Sequence, residues 1–99
     1  MARIISKKIL EEIRFRCEVA DVVGGYMALK RAGSAFKGLC PFHKEKTPSF
    51  HVNPQRQIWH CFGCGAGGDI FAFVMQHEGV DFSTAAQMLA DRAGIKLET

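Results

Sequence analysis

Four soft donors stand in two tight pairs along this chain. Cys40 and His43 bracket Pro-Phe, Cys61 and Cys64 bracket Phe-Gly, and seventeen residues separate the pairs. Two residues between donors let one tight turn aim both side chains at a single ion while its backbone N–H groups face the sulfurs. The spacing Cys-x2-His-x17-Cys-x2-Cys therefore predicts a four-ligand zinc site built from two knuckles. Gly63 and Gly65 suit the positive-φ positions such turns demand. Zinc takes thiolate and imidazole tetrahedrally, at roughly 2.3 and 2.0 Å, and four protein ligands leave no position open. A closed site of this kind is structural.

The other donors read differently. Cys17 falls on the apolar face of an N-terminal helix and is expected as a buried thiol. His60 adjoins Cys61 but lies outside the knuckle spacing, and strand alternation in Gln-Ile-Trp-His-Cys turns it to the opposite face. His51 and His77 are expected as exposed polar residues.

Ninety-nine residues suffice for one domain with a modest core, but seldom for an enzyme that encloses its substrate. No apolar run approaches the ~18 residues that span a bilayer, and "MARIISKKILEEI" meets charges before a signal-peptide core can form. A cytoplasmic protein without membrane attachment is expected, and that compartment disfavours structural disulfides. Residues 1–34 carry seven Lys/Arg and four Asp/Glu, residues 35–64 four and one, and residues 65–99 two and five, so the segments stand at +3, +3 and −3. Three thiolates around one Zn²⁺ sum to −1, which brings the middle segment to about +2. Attraction for phosphate must then come from particular Lys and Arg side chains.

Ser6 can cap a helix through Ile9, Leu10, Ile13 and Cys17, whose apolar positions recur at helical spacing. A short helical turn in "VADVVGGYM" should end near Gly24-Gly25. "YMALK", "AFKGL", "SFHVN" and "QIWHC" are short, partly alternating and separated by turn residues, as antiparallel strands are; Asn53 and Pro54 mark a hairpin between the last two. Beyond Gly68 the helical period returns. Asp69 can cap a helix burying Ile70, Phe73 and Val74 that Gly79 ends. Asp81 or Ser83 can cap another burying Phe82, Ala86, Leu89 and Ala93 that Gly94 stops. The expected fold is α+β: a zinc ribbon over residues 26–64, a helical lead over 1–25 and a helical part over 65–99, forming one domain.

Two strings mislead. "GCGAGG", residues 63–68, satisfies G-x-G-x-x-G, but Cys64 lies inside it and a knuckle, not a buried parallel strand, precedes it. "HKE" followed by "CFGC" imitates the zinc deaminase signature with Glu45 as proton shuttle. There, Cys40 adds a fourth ligand where catalysis needs a water, and His60 stands where the signature has proline.

From about Ile9 to Leu97 the chain resembles the N-terminal zinc-binding domain of DnaG-type bacterial DNA primases, on the strength of "KGLCPFHKEKTPSF" and "HCFGCGAGGDIFAFV". The resemblance implies zinc at Cys40, His43, Cys61 and Cys64, and a module that engages single-stranded DNA template and helps choose the primer start site. It places ribonucleotide polymerisation in a separate following domain, acting in cis or in trans, and contact with the replicative helicase in other domains. The 99 residues hold no acidic cluster suited to two Mg²⁺ ions, so this chain alone is not expected to make primers.

Single strands are gripped by cations along the backbone and by aromatic faces against bases. The strand region offers Lys30, Arg31, Lys37, Lys44, Lys46 and Arg56, interleaved with Phe36, Trp59 and His60. Lys30 and Lys46 match basic positions of the family motif. Phe50 alternates with Val52 and reads as core, whereas Phe36 and Trp59 stand between core and surface. Many relatives carry a basic residue and Asn where this chain has Ser34 and Ala35, which removes a potential phosphate contact. A zinc-ribbon adaptor that binds protein through the acidic C-terminal helices is the competing expectation.

Overall fold

The hydroxyl of Ser6 accepts the Ile9 N–H at 3.2 Å and starts α1, Lys7–Arg16. The computed structural model describes residues 5–44 and 46–96; Glu45 of the deaminase-like string, and Leu97 at the end of the resemblance, lie outside them. After α1 the chain forms α2 (Val19–Gly24), β1 (Lys30–Ala32), β2 (Ala35–Gly38), β3 (Phe50–Asn53), β4 (Ile58–Cys61), β5 (Gly67–Gly68), α3 (Ile70–Glu78) and α4 (Phe82–Ala93). The five strands make one antiparallel sheet in the order β1-β2-β3-β4-β5.

Three expectations change. "YMALK" is not a strand; β1 starts only at Lys30. The N–H groups of Tyr26 and Met27 return to the carbonyl of Val23 at 2.9 and 3.0 Å, so the end of α2 has taken the donors a ladder needs. Gly67-Gly68, assigned to no strand from the sequence, pairs with Trp59 and His60 as a fifth strand. Phe82 is 39% exposed instead of core. It opens α4 one turn before the buried stripe of Ala85, Ala86, Leu89 and Ala90, and only its ring rests on Phe71, with centroids 5.2 Å apart.

Pleating sends Gly38, Phe50, Val52, Trp59 and Cys61 to one face of the sheet, and all are buried. That face packs on α3. Phe50 stacks on Trp59 at 5.2 Å, and Phe73 meets both rings edge-on at 5.9 and 5.5 Å. Around this seam α1, α2 and α4 bury Ile13, Cys17, Val19, Val22, Val23 and Leu89 against Phe71 and Val74. Fully burying a side chain of this size contributes about 1.5–3 kcal/mol, so the seam is a large share of the domain's cohesion. Gly79 and Gly94 end α3 and α4 in the left-handed region, as expected.

Side chains from distant segments finish the helix ends. Asp69 accepts from Ala72 N at 3.0 Å and pairs with Arg14 at 3.0 Å, while its carbonyl takes the Trp59 indole N–H at 2.7 Å. Glu18 makes no side-chain cap for α2. Gln57, at the end of the β3–β4 turn with φ 57°, accepts the Val19 N–H at 2.8 Å instead.

Candidate metal centre

Cys40 follows β2 and is buried, Cys61 closes β4 and is fully buried, and Cys64 lies exposed one turn later. The ligand atoms of Cys40, His43, Cys61 and Cys64 all lie within 4.8 Å of one another. Two sulfurs held at ~2.3 Å from a tetrahedral ion stand ~3.8 Å apart. The Cys40 and Cys64 sulfurs are 3.8 Å apart, and His43 Nδ1 lies 4.0 Å from Cys61 Sγ. Three thiols and an imidazole form a set that zinc favours.

The knuckles are built from backbone hydrogen bonds. Phe42 N–H points at Cys40 Sγ across 3.4 Å. Cys61 N–H donates to Ala66 O at 2.8 Å and Gly65 N–H to Cys61 O at 2.9 Å, closing the second turn with Gly65 at φ 81°. Gly63 does not need the positive φ expected of it. Its reason is crowding: a Cβ there would stand 2.8 Å from Ser49 Oγ and 2.9 Å from His43 Nε2.

Without metal the thiols are not equivalent. Burial pushes the Cys40 thiol upward. Burial also opposes ionisation of Cys61, but hydrogen bonds from the Ser49 hydroxyl, the Cys64 N–H, the Cys40 thiol and the Gly63 N–H together outweigh it and bring that thiol down to about 7. Zinc would be held by the deprotonated thiols, so its binding would release protons and depend on pH.

Opposite the core lies an outer face. The register aligns Lys30 with Lys37, Lys37 with His51, His51 with His60, and His60 with Gly67. Directly opposed residues share a face, so this row crosses the whole sheet. Lys30, Lys37 and His60 are exposed, and His51 is half-buried, against the expectation of full exposure. Lys44 and Lys46 are exposed on the loop after His43. Arg31 points to the other side, its guanidinium 6.0 Å from the centroid of the half-buried Phe36 ring. Arg56 lines a cavity of about 170 Å³ with Arg14, Asp69 and Ile70, beside the helices.

The structure corrects one site expectation outright. Trp59 is 1% exposed, stacked on Phe50 and tied to Asp69, so it offers no face to a base. The residue that sequence reasoning missed is Phe62, 70% exposed on the second knuckle. Knuckle position alone does not give this away: Phe42, between the ligands of the first knuckle, packs against Trp59 and Phe73 with ring centroids 5.4 and 5.6 Å away, whereas Phe62 continues the alternation of β4 past Cys61 and falls on the side of His60.

The CHC2 zinc finger family model matches residues 5–99. This chain belongs to that family. It is 53% identical over 97 residues to the DNA primase of Geobacillus stearothermophilus, covering 98% of this chain and 16% of that protein. It is 52% identical over 95 residues to the DNA primase of Mycobacterium tuberculosis strain H37Rv, covering 95% of this chain and 15% of that one. The crystal structure of the Aquifex aeolicus primase, comprising zinc-binding and RNA polymerase domains, superposes with a TM-score of 0.87 at 44% identity, over 95% of this chain and 23% of that one. The chain thus spans about 16% of the first relative's length. Zinc is the ion of this CHC2 finger, and the fold is a zinc ribbon carrying a Cys-His-Cys-Cys group. When bound, the ion supplies cross-linking, with no site left for a reacting water.

Proposed function

We propose that this chain is the template-reading module of a bacterial DNA primase: it grips single-stranded DNA and helps set where the primer starts. Nucleotide addition belongs to a polymerase domain outside these 99 residues, served in cis or in trans. Contact with the replicative helicase belongs to other domains, and the cytoplasm is where this work is done. Among the described residues no helix is long and apolar enough to cross a membrane.

One observation carries the reading. Lys30 and Lys37 are direct cross-strand partners on the outer face. Like charges so placed are destabilising, and a phosphate backbone lying across them offsets that repulsion. Lys44 and Lys46 add charge from the first knuckle. Residues 30–67 hold six Lys/Arg and one acid, Glu45. Base faces have Phe62 and His60 on the same side.

The adaptor reading has less to use. Glu78 accepts from the Tyr26 hydroxyl, Asp69 and Asp81 cap helices, and Asp91 accepts from Gln87. Among the described residues, each of these carboxylates thus already has a partner within the domain.

Lys37→Ala and Lys46→Ala should each weaken binding of a short single-stranded oligonucleotide. Each should also reduce the slope of log affinity against log salt by about 0.7, the value of one lost phosphate contact on a single strand. Fluorescence anisotropy across a salt series measures both. Affinity and slope equal to wild type in both variants would remove these lysines from the interface, and failure of the wild-type chain to bind any single strand would overturn the reading.

A further inference from the structure

Phe62 is fixed in place although it is exposed. Its N–H donates to Ser49 O at 2.9 Å. The rings of His51 and His60 stand edge-on against it, with centroids at 4.8 and 4.6 Å and planes at 81° and 71°. His51 is itself anchored, its Nδ1 lying 3.1 Å from Ser49 O. Glycine at residue 67 leaves the His60 ring uncrowded; a Cβ there would stand 3.0 Å from His60 Nδ1. A lone exposed phenylalanine needs no explanation. One held between two imidazoles, just past the end of β4 and beside the row that runs from Lys30 and Lys37 to His51 and His60, has an arrangement that a solvated surface does not require.

We infer that Phe62, braced by His51 and His60, is a stacking platform for one unpaired base of the strand whose phosphates follow Lys37 and Lys30. The inference rests on the template-reading proposal and refines it: the lysines hold the backbone, and Phe62 positions a base. Because the ring is held before binding, little rotamer freedom is lost when the base arrives. Stacking is tolerant of base identity, so Phe62 sets register and contributes affinity while sequence choice lies elsewhere.

The test pairs protein variants with abasic DNA, using the zinc-loaded 99-residue chain. A single-stranded oligonucleotide and a set in which one abasic residue is moved along it are titrated against wild type, Phe62→Ala, Phe62→Leu, Phe62→Trp and Lys37→Ala. Wild type should lose affinity at one abasic position. Phe62→Ala and Phe62→Leu should bind intact DNA about 5- to 150-fold more weakly, the range of one lost base–aromatic stack. They should be indifferent to that abasic position and keep the wild-type salt slope. Phe62→Trp should restore both affinity and discrimination, and Lys37→Ala should keep discrimination while its salt slope flattens. The leucine variant keeps apolar bulk beside Cys61, so a zinc-loaded Phe62→Leu chain is informative even if the alanine variant loses metal. Wild-type DNA binding that ignores every abasic position, or Phe62→Leu binding that matches wild type, overturns the platform and leaves the lysine contacts standing. Absence of wild-type binding overturns the template reading instead.

Discussion

Gly63 is held to glycine by its neighbours, not by its backbone angle. With a Cβ 2.9 Å from His43 Nε2 and 2.8 Å from Ser49 Oγ, Gly63→Ala must displace the imidazole or the hydroxyl that faces Cys61. Overpacking of this order costs about 1–3 kcal/mol, so zinc affinity should fall about 5- to 150-fold in competition with a chromogenic chelator. Unchanged affinity would show that the knuckle yields without cost. The four donors themselves were legible because knuckle spacing is local: two residues between ligands fix a turn whatever surrounds it. Trp59 and Phe62 were not. Whether an aromatic on or beside a short strand is buried depends on which elements cover it: β5 and α3 cover Trp59, while Phe62 stays 70% exposed with the rings of His51 and His60 against it.

At the scale of elements, helices were easier to read than strands. Ser6, Asp69 and Asp81 each cap a helix, and Gly79 and Gly94 stop the last two, because capping is decided within a turn. Strand limits depend on partners far along the chain, which is why Gly67-Gly68 was not read as a strand, while "YMALK" misled because the end of α2 takes its first N–H groups. Tyr26 joins two elements: it leaves the end of α2 to lie against Phe73 and donates its hydroxyl to Glu78 of α3 at 3.1 Å. Burial and that hydrogen bond to the Glu78 carboxylate raise the tyrosine above its ordinary range. A raised value means that the contribution is fully present below the unfolded tyrosine's pKa of ~10 and is lost as pH rises through the folded one. Tyr26→Phe should therefore be less stable than wild type near neutrality, with the gap closing in strongly alkaline buffer. Urea melts at the two pH values measure this, and a gap that widens with pH would contradict the assignment.

Across the whole molecule, the sheet and the helices share one seam, and the metal ligands all come from the sheet and its knuckles. Cys40 leaves β2, Cys61 ends β4 and the turn through Cys64 leads into β5, so one ion ties together three strands that turns alone join weakly. Structural zinc sites of this type contribute an apparent ~10–16 kcal/mol, against roughly 5–15 kcal/mol for the net stability of a whole domain. Removing the ion therefore removes as much as holds the fold together. The same ion keeps the outer face in shape, since Phe62 sits between two of its ligands and the Lys37–His51–His60 row spans the strands it joins.

Chelation followed residue by residue tests this most directly. Amide spectra of the zinc-loaded chain, recorded before and after one equivalent of metal is stripped, should lose the dispersed signals of Ala35–Gly38, Phe50–Asn53 and Ile58–Cys61 and regain them when zinc is returned. If those signals keep their positions in metal-free protein, the sheet stands without its ion and the account of how this surface is built is wrong.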